Sequence, residues 1–105
     1  MPKIVSPMDQ SVPFEGVLGN TCELRLLQFL LPLDDMYFSA SDLAEEVDAN
    51  LTEVHEEVQK LVAWEVLFVS EEIPPKYTLN SKSPIVYGIE ILNNGLISCI
   101  LRKSR

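Results

Sequence analysis

Apolar residues recur at helical spacing in the first third of the chain. The positions that fall on one side of such a helix are Leu24, Leu26, Leu27, Leu30 and Leu31. A stripe this wide is typical of a helix that is buried along one face. Asn20 and Glu23 have the spacing of a capping box, and Pro32 cannot continue a helix. The pattern therefore predicts a first helix between Asn20 and Pro32.

Two more helices are predicted by the same combination of a cap and an apolar face. Ser39 with Asp42, and Asn50 with Glu53, have capping-box spacing. The positions expected to face inward are Leu43, Ala44 and Val47 in the second helix, and Val54, Val58, Leu61 and Val62 in the third. Asp48 follows about two turns after the first of these caps, and we expect the second helix to end there.

Short runs of β-branched and aromatic residues predict strands. Residues 64–69 (WEVLFV) and 76–79 (KYTL) flank an acidic loop that contains two prolines, so they predict a β-hairpin. Residues 36–38 (MYF) form a shorter strand-like segment before the second helix. Trp64 stands where the third helix meets the hairpin, and we expect its side chain in the core.

The C-terminal segment has features of a helix and of a hairpin. Ser83-Pro84 is a favoured helix start, because serine caps the helix and proline fits its first position. A heptad-like seam follows at spacings of four, three, four and three, formed by Ile85, Ile89, Leu92, Leu96 and Cys99. Residues 93–95 (NNG) instead favour a hairpin turn. We favour the helix, since its start and its seam agree, and we expect the seam to hold a homodimer.

Composition adds expectations about location and assembly. Apolar residues make up 47% of the 105 residues, which favours self-association. Residues 1–15 hold three prolines and no helical period, so we expect an extended N-terminal arm. No uninterrupted apolar run approaches the ~20 residues of a membrane span, and no apolar signal segment opens the chain. We therefore expect a cytoplasmic protein without membrane contact, in which Cys22 and Cys99 stay reduced.

Little in the chain points to catalysis or metal binding. His55 is the only histidine, and neither cysteine belongs to a C-x-x-C pair. The carboxylates are accompanied by no nucleophile motif and no glycine-rich loop. We expect no enzyme activity, no metal and no cofactor, and we expect His55 to face solvent on the third helix.

The predicted order of helix, strand-like segment, helix, helix, hairpin and helix is that of a winged helix-turn-helix. Residues 39–46 (S-x-x-D-L-A-E-E), 54–61 (V-x-x-x-V-x-x-L) and 77–86 (Y-x-L-N-x-x-S-P-I-V) resemble those of small prokaryotic winged helix-turn-helix transcription regulators, particularly archaeal ones. The resemblance spans about residues 15–101. It implies an α+β fold, mostly α, in which three helices form the core and a short β-hairpin forms the wing. It divides the chain into the arm (1–15), the winged helix-turn-helix domain (16–82) and a C-terminal dimerisation helix (83–105).

The same resemblance implies a dimeric DNA-binding transcriptional regulator that uses no cofactor. Its third helix would enter the major groove and its wing, residues 70–76, would cross the neighbouring backbone. By position, the groove-facing residues would be Leu51, Thr52, Glu53, His55, Glu56, Gln59 and Lys60. The basic candidates for phosphate contact would be Lys76 and Lys82 near the wing, and Arg102, Lys103 and Arg105 at the C-terminus.

Charge departs from that family on the surfaces that would face DNA. The net charge is −8, and residues 34–72, here called the acidic segment, hold twelve acidic residues and a single basic one, Lys60. Carboxylates replace the usual Arg, Lys, Ser or Thr of the third helix, and Asp48 and Glu65 replace its usual flanking glycines. DNA binding needs positive charge to displace counterions from phosphates. The sequence therefore supports a second function, a protein interaction module whose acidic face binds a basic partner with little or no DNA binding.

Overall fold

The computed structural model describes residues 12–103 and confirms an α+β fold that is mostly helical. The helices are α1 (Pro13–Val17), α2 (Cys22–Leu30), α3 (Ala40–Val47), α4 (Leu51–Ala63) and α5 (Pro84–Lys103), and the strands are β1 (Phe38–Ser39), β2 (Leu67–Val69) and β3 (Lys76–Leu79). The three helices expected from the caps are α2, α3 and α4. The C-terminal segment is a helix, so its hairpin alternative is wrong.

The start of α2 differs by one residue from the cap that the spacing predicts. Thr21, and not Asn20, is the N-cap, and its Oγ1 accepts a hydrogen bond from the backbone N–H of Leu24 at 3.3 Å. Asparagine and threonine both favour N-caps, so cap preference alone does not choose between neighbours. At the other end α2 stops at Leu30 and passes into a 3-10 turn, Leu31–Leu33, which accommodates Pro32.

The caps of the next two helices are found where they are predicted. Ser39 Oγ accepts from the N–H of Asp42 at 3.1 Å, and Asp42 Oδ2 accepts from the N–H of Ser39 at 3.2 Å, which completes a capping box. Asn50 Oδ1 accepts from the N–H of Glu53 at 2.8 Å. Among the described residues no return bond reaches the N–H of Asn50, so α4 has a cap without the full box.

The three strands form one antiparallel sheet in the order β1-β3-β2. The central strand pairs Tyr77 with Phe38 of β1 and Leu79 with Leu67 of β2. Phe38 also packs edge-to-face on Phe29 of α2, with ring centroids 5.2 Å apart. The strand-like segment therefore starts two residues later than predicted, because only Phe38 of residues 36–38 has both a strand partner and an aromatic neighbour.

One core is shared by the helices and the sheet. Of the positions predicted to face inward, Leu43, Val47, Val54, Val58 and Leu61 are buried, and Ala44 and Val62 pack partly against the same cluster. The prediction that Trp64 lies in the core is wrong, since its side chain is 67% exposed. The chain turns at Glu65 with a positive φ of 61°, and Val66 takes the buried position that was assigned to the tryptophan.

The sequence patterns do not predict the short helix α1. The prediction of an extended arm is wrong for residues 13–15, and the arm's residues 1–11 lie outside the described residues. Phe14 is buried in the core, and its backbone N–H donates to Gln28 Oε1 of α2 at 3.0 Å. The Nε2 of Gln28 donates in turn to Asn93 Oδ1 of α5 at 3.0 Å, so one side chain joins α1, α2 and α5.

The last helix begins at the predicted cap, where Ser83 Oγ accepts from the N–H groups of Ile85 and Val86 at 3.1 and 3.4 Å. Val86 and Ile100 are its buried residues. Two of the seam residues, Ile89 and Leu96, pack partly on the protein's own core, whereas Ile85 and Leu92 are exposed. The predicted seam is therefore a flank of α5 between its core side and its solvent side, and not a fully free stripe.

Most of the surface of α5 faces away from the rest of the protein. An 18-residue window of this twenty-residue helix reaches a mean hydropathy of 1.4, and 11% of that window is buried. A helix that crosses a membrane has this length and hydropathy. The sequence search for uninterrupted apolar runs did not find this helix, because polar residues interrupt it. Core helices of soluble proteins meet the same criterion.

Candidate functional site

The junction between α3 and α4 is held by contacts from α2. α3 ends at Val47, and Asp48 follows in a left-handed conformation with φ 53° and ψ 54°. Arg25 Nη1 donates to the carbonyl oxygens of Val47 and Asp48 at 2.6 and 3.2 Å. The last carbonyls of a helix lack partners within the helix and carry partial negative charge. The guanidinium donates hydrogen bonds to these carbonyls and so holds the turn that sets the direction of α4.

Both ends of α4 use backbone geometry that favours glycine. Asp48 before the helix and Glu65 after it have positive φ values of 53° and 61°. Glycine adopts this conformation at least cost, because other residues bring Cβ close to a backbone oxygen. Asn80 Nδ2 donates to the carbonyl oxygen of Glu65 at 2.9 Å and holds the second turn.

The residues predicted to face a DNA groove lie on the solvent side of α4. All seven are exposed: Leu51, Thr52, Glu53, His55, Glu56, Gln59 and Lys60. The prediction that His55 faces solvent is confirmed. Glu57 lies differently, because it is partly buried beside Lys60. The free outer face of α4 therefore presents two carboxylates, those of Glu53 and Glu56.

Lys60, the single cation of the acidic segment, already has partners. Its Nζ lies 2.9 Å from Glu23 Oε2 of α2 and 2.9 Å from Glu57 Oε2 of its own helix. The hydrogen bonds to Glu23 and Glu57 raise the pKa of Lys60, so the ammonium stays charged throughout the neutral range. Its positive charge is shared between two carboxylates, and little of it is left to attract a phosphate.

The segment predicted as the wing, residues 70–76, forms the loop between β2 and β3. Ser70 Oγ accepts from the backbone N–H groups of Lys76 and Glu72 at 3.0 and 3.4 Å, and the N–H of Ser70 donates to the carbonyl oxygen of Lys76 at 2.8 Å. Residues 71–75 are all exposed, and Ile73 is 98% exposed. The wing thus presents acidic and apolar side chains to solvent.

The remaining cations do not gather into one patch. Lys76 opens β3, and Lys82 is exposed in the loop before α5. Arg102 and Lys103 lie at the opposite end of α5, which at 1.5 Å per residue is about 30 Å long. Arg105 lies outside the described residues. Within residues 12–103, the basic candidates of the sequence analysis are therefore dispersed over distant parts of the surface.

Two open grooves lie on the described surface. One, of about 500 Å³, runs between α1, α2 and α5 and is lined by Gln28, Asp34, Glu90 and Asn93 among others. The other, of about 300 Å³, is apolar and lies beside the exposed Trp64, and its lining also includes Leu27, Leu61, Val66, Ile85 and Ile89. Sequence reasoning missed the second groove because it assigned Trp64 to the core.

Neither groove has a recognisable catalytic or metal-binding set. Across residues 12–103 there is no group of three or more His, Cys, Asp or Glu side chains placed to hold a metal ion. Cys22 is buried and Cys99 is partly buried, and both are free thiols. The chemistry that the described surface offers is therefore that of charge and apolar contact.

Comparison with known proteins does not assign the chain to a family: no family model, no curated protein and no solved structure matches it. The candidate site is accordingly defined by its own geometry. It consists of the outer face of α4 and the wing, where the exposed carboxylates are Glu53, Glu56, Glu71 and Glu72. These four residues are called the acidic face below.

Proposed function

We propose that this chain is a winged helix-turn-helix domain that works as a protein interaction module and binds a basic protein partner through the acidic face. Three features support the winged-helix arrangement: the packed helices α2, α3 and α4, the tight turn at Asp48, and the hairpin that follows α4. One observation carries the choice of partner. Lys60 is paired with Glu23 and Glu57, which leaves the exposed carboxylates of α4 without a free cation on their own helix.

Electrostatics favours a basic partner over DNA on this surface. Two unit charges 4 Å apart interact by about 1 kcal/mol in water, and several carboxylates act together at short range. The interaction is attractive toward Lys or Arg and repulsive toward phosphate. Salt screens it over ~10 Å at 0.1 M, so binding should weaken as ionic strength rises.

The test is a pair of titrations followed by fluorescence anisotropy at several salt concentrations, one with labelled oligolysine and one with a labelled DNA duplex. We expect the oligolysine to bind and the duplex not to bind. The double variant Glu53→Gln/Glu56→Gln should weaken oligolysine binding several-fold. Its matched control is Glu45→Gln/Glu46→Gln, which removes the same charge from α3. Equal weakening by both variants would show that net charge, and not the acidic face, attracts the peptide.

A DNA-binding transcriptional regulator is the second candidate, and one observation favours it. A complete polar face of α4 is exposed next to a hairpin, which is the arrangement that lets a recognition helix reach the major groove. Carboxylates can accept hydrogen bonds from cytosine amino groups. In that case the duplex should bind saturably, with affinity that falls steeply with salt. The Glu53→Gln/Glu56→Gln variant should then bind the duplex more tightly, because repulsion of the phosphates is reduced.

We also propose that two copies of the chain associate through the exposed flank of α5. Ile85 and Leu92 are apolar and exposed on that flank, and a second copy is the partner available to every molecule. Leu92→Asp should convert a dimer into a monomer in sedimentation equilibrium. Ile89 is a poorer site for this test because it packs on the protein's own core. Asn94→Asp adds the same charge to another exposed position of α5 and should leave the mass unchanged, whereas a dimeric Leu92→Asp would refute the contact.

A further inference from the structure

Three apolar side chains at the hairpin are exposed, two of them inside the acidic segment and one directly after it. Phe68 and Val69 of β2 are each about half exposed, and Ile73 of the wing is almost fully exposed. These three residues are called the apolar tip. Single apolar residues on a surface are common, but a group of them rimmed by polar residues marks a site of interaction.

The apolar tip is held in place before any partner arrives. Ser70 Oγ accepts hydrogen bonds from two backbone N–H groups across the base of the loop, and Pro74 and Pro75 restrict the backbone immediately after Ile73. A loop that is already ordered loses little conformational entropy when it binds, so more of the contact energy appears as affinity. Ile73 therefore has the properties of a binding anchor.

The charges around the apolar tip select the kind of partner. Glu71 and Glu72 directly precede Ile73 and Lys76 follows Pro75, so residues 71–76 carry a net charge of −1. Nucleic acid and anionic lipid surfaces carry charge of the same sign and are repelled. A second copy that docked tip to tip would place Glu71 and Glu72 against the same residues of its partner. A surface that surrounds an apolar pocket with Lys or Arg would instead complement both the charge and the apolar contact.

We propose that the apolar tip is the anchor of the basic partner, with Ile73 entering an apolar pocket whose rim carries Lys or Arg side chains. This inference rests on the proposed function and deepens it. The acidic face attracts the partner and sets the salt dependence of binding. The apolar tip adds affinity that does not depend on salt, because desolvation of apolar surface is not screened.

The probes are two labelled peptides of equal length, oligolysine and a peptide of alternating lysine and leucine. We expect the protein to bind the lysine–leucine peptide at least tenfold more tightly than oligolysine. Ile73→Ser should abolish that tenfold advantage and leave oligolysine binding unchanged. Since Ile73 is 98% exposed, the variant should unfold at the same temperature as the original protein. Ile91→Ser is the matched control, because it removes an exposed isoleucine from α5, and it should keep the advantage.

Each other outcome overturns the inference in a distinct way. Equal binding of the two peptides by the original protein would overturn the anchor and leave the acidic face in place. An advantage that survives Ile73→Ser, or is lost in Ile91→Ser, would place the apolar contact elsewhere. A lower sedimentation mass of Ile73→Ser would make the apolar tip a contact between copies. Binding of neither peptide would overturn the proposed function, and the anchor with it.

Discussion

α4 and α5 are both built on repeating apolar positions, but they use their outer surfaces in opposite ways. α4 buries Val54, Val58 and Leu61 and turns carboxylates toward solvent. α5 buries Val86 and Ile100 and leaves several large apolar side chains exposed, among them Tyr87, Ile91 and Leu92. The outer face of α4 is stable in water as it stands, whereas that of α5 gains stability when it is covered. The two helices therefore present two different kinds of surface, one acidic and one apolar.

The prediction with the largest expected effect on stability replaces one leucine of each helix by alanine. Leu61 of α4 is buried and Leu92 of α5 is 43% exposed. Leu61→Ala should lower the free energy of unfolding by about 2–5 kcal/mol, because it loses burial and opens a cavity. In dilute protein Leu92→Ala should lower it by about 0.5 kcal/mol, which is usual for a surface site. Urea denaturation followed by circular dichroism measures both, and equal losses would mean that α5 packs as tightly as α4.

A smaller effect is expected at the helix ends, where the two helices also differ. α5 starts at the Ser83 cap, which Pro84 follows. After the end of α4 the chain instead passes through Glu65, whose backbone is left-handed. Glu65→Gly should raise the free energy of unfolding by about 1 kcal/mol, since glycine lacks the crowded Cβ. Asp48→Gly should gain less, because aspartate tolerates this conformation better.

Thermal and urea unfolding of the two glycine variants provide the measurement. Glu65→Ala is the control, since it removes the carboxylate and keeps the Cβ. A gain in stability from Glu65→Ala equal to that from Glu65→Gly would attribute the effect to charge repulsion and not to backbone geometry.

The smallest energetic effect is expected from the buried cysteine, Cys22. Burial, and then the charge of Glu53, raise the pKa of the Cys22 thiol in α2. The folded protein thus keeps a proton that the unfolded thiol loses near pH 8.5, so the stability from Cys22 is complete below that pH and declines as pH rises toward the folded pKa. The slope of unfolding free energy between pH 8 and pH 10 should be shallower in Cys22→Ala. An unchanged slope would assign the decline to other groups.

Alkylation gives a kinetic form of the same comparison. Cys99 of α5 is partly exposed, whereas Cys22 is buried and its burial raises the pKa of its thiol. Since the thiolate is the reactive form, Cys99 should be alkylated first. If α5 forms the proposed dimer, Leu92→Asp should further accelerate the reaction at Cys99 and not at Cys22. Mass spectrometry of each cysteine-containing peptide follows both rates.

Local signals account for the part of the fold that the sequence predicts well. The caps at Ser39, Asn50 and Ser83 depend on side chains that bond to backbone two or three residues away, so spacing alone reveals them. The strand at 76–79 is bounded by a proline pair and Asn80, and its predicted limits match the structure.

The errors occur where distant contacts decide the outcome. Trp64 has the composition of a core residue, but the left-handed turn at Glu65 rotates the chain and buries Val66 in its place. α1 has no period of its own and exists through the burial of Phe14 and its bond to Gln28. In the sequence Lys60 is the single basic residue of the acidic segment, and only the fold brings Glu23 beside it. The apolar tip escaped notice for a related reason, since Phe68 and Val69 read as ordinary strand residues.

The side chain of Gln28 has a consequence for how the two ends of the chain are connected. Its carboxamide oxygen is committed to Phe14 and its amino group to Asn93, so the group has a direction, and rotation by half a turn would place like atoms against each other at both contacts. A displacement of α5 at Asn93 would break its bond to this amide and disturb the one to Phe14, in addition to the direct packing of α1 on α5.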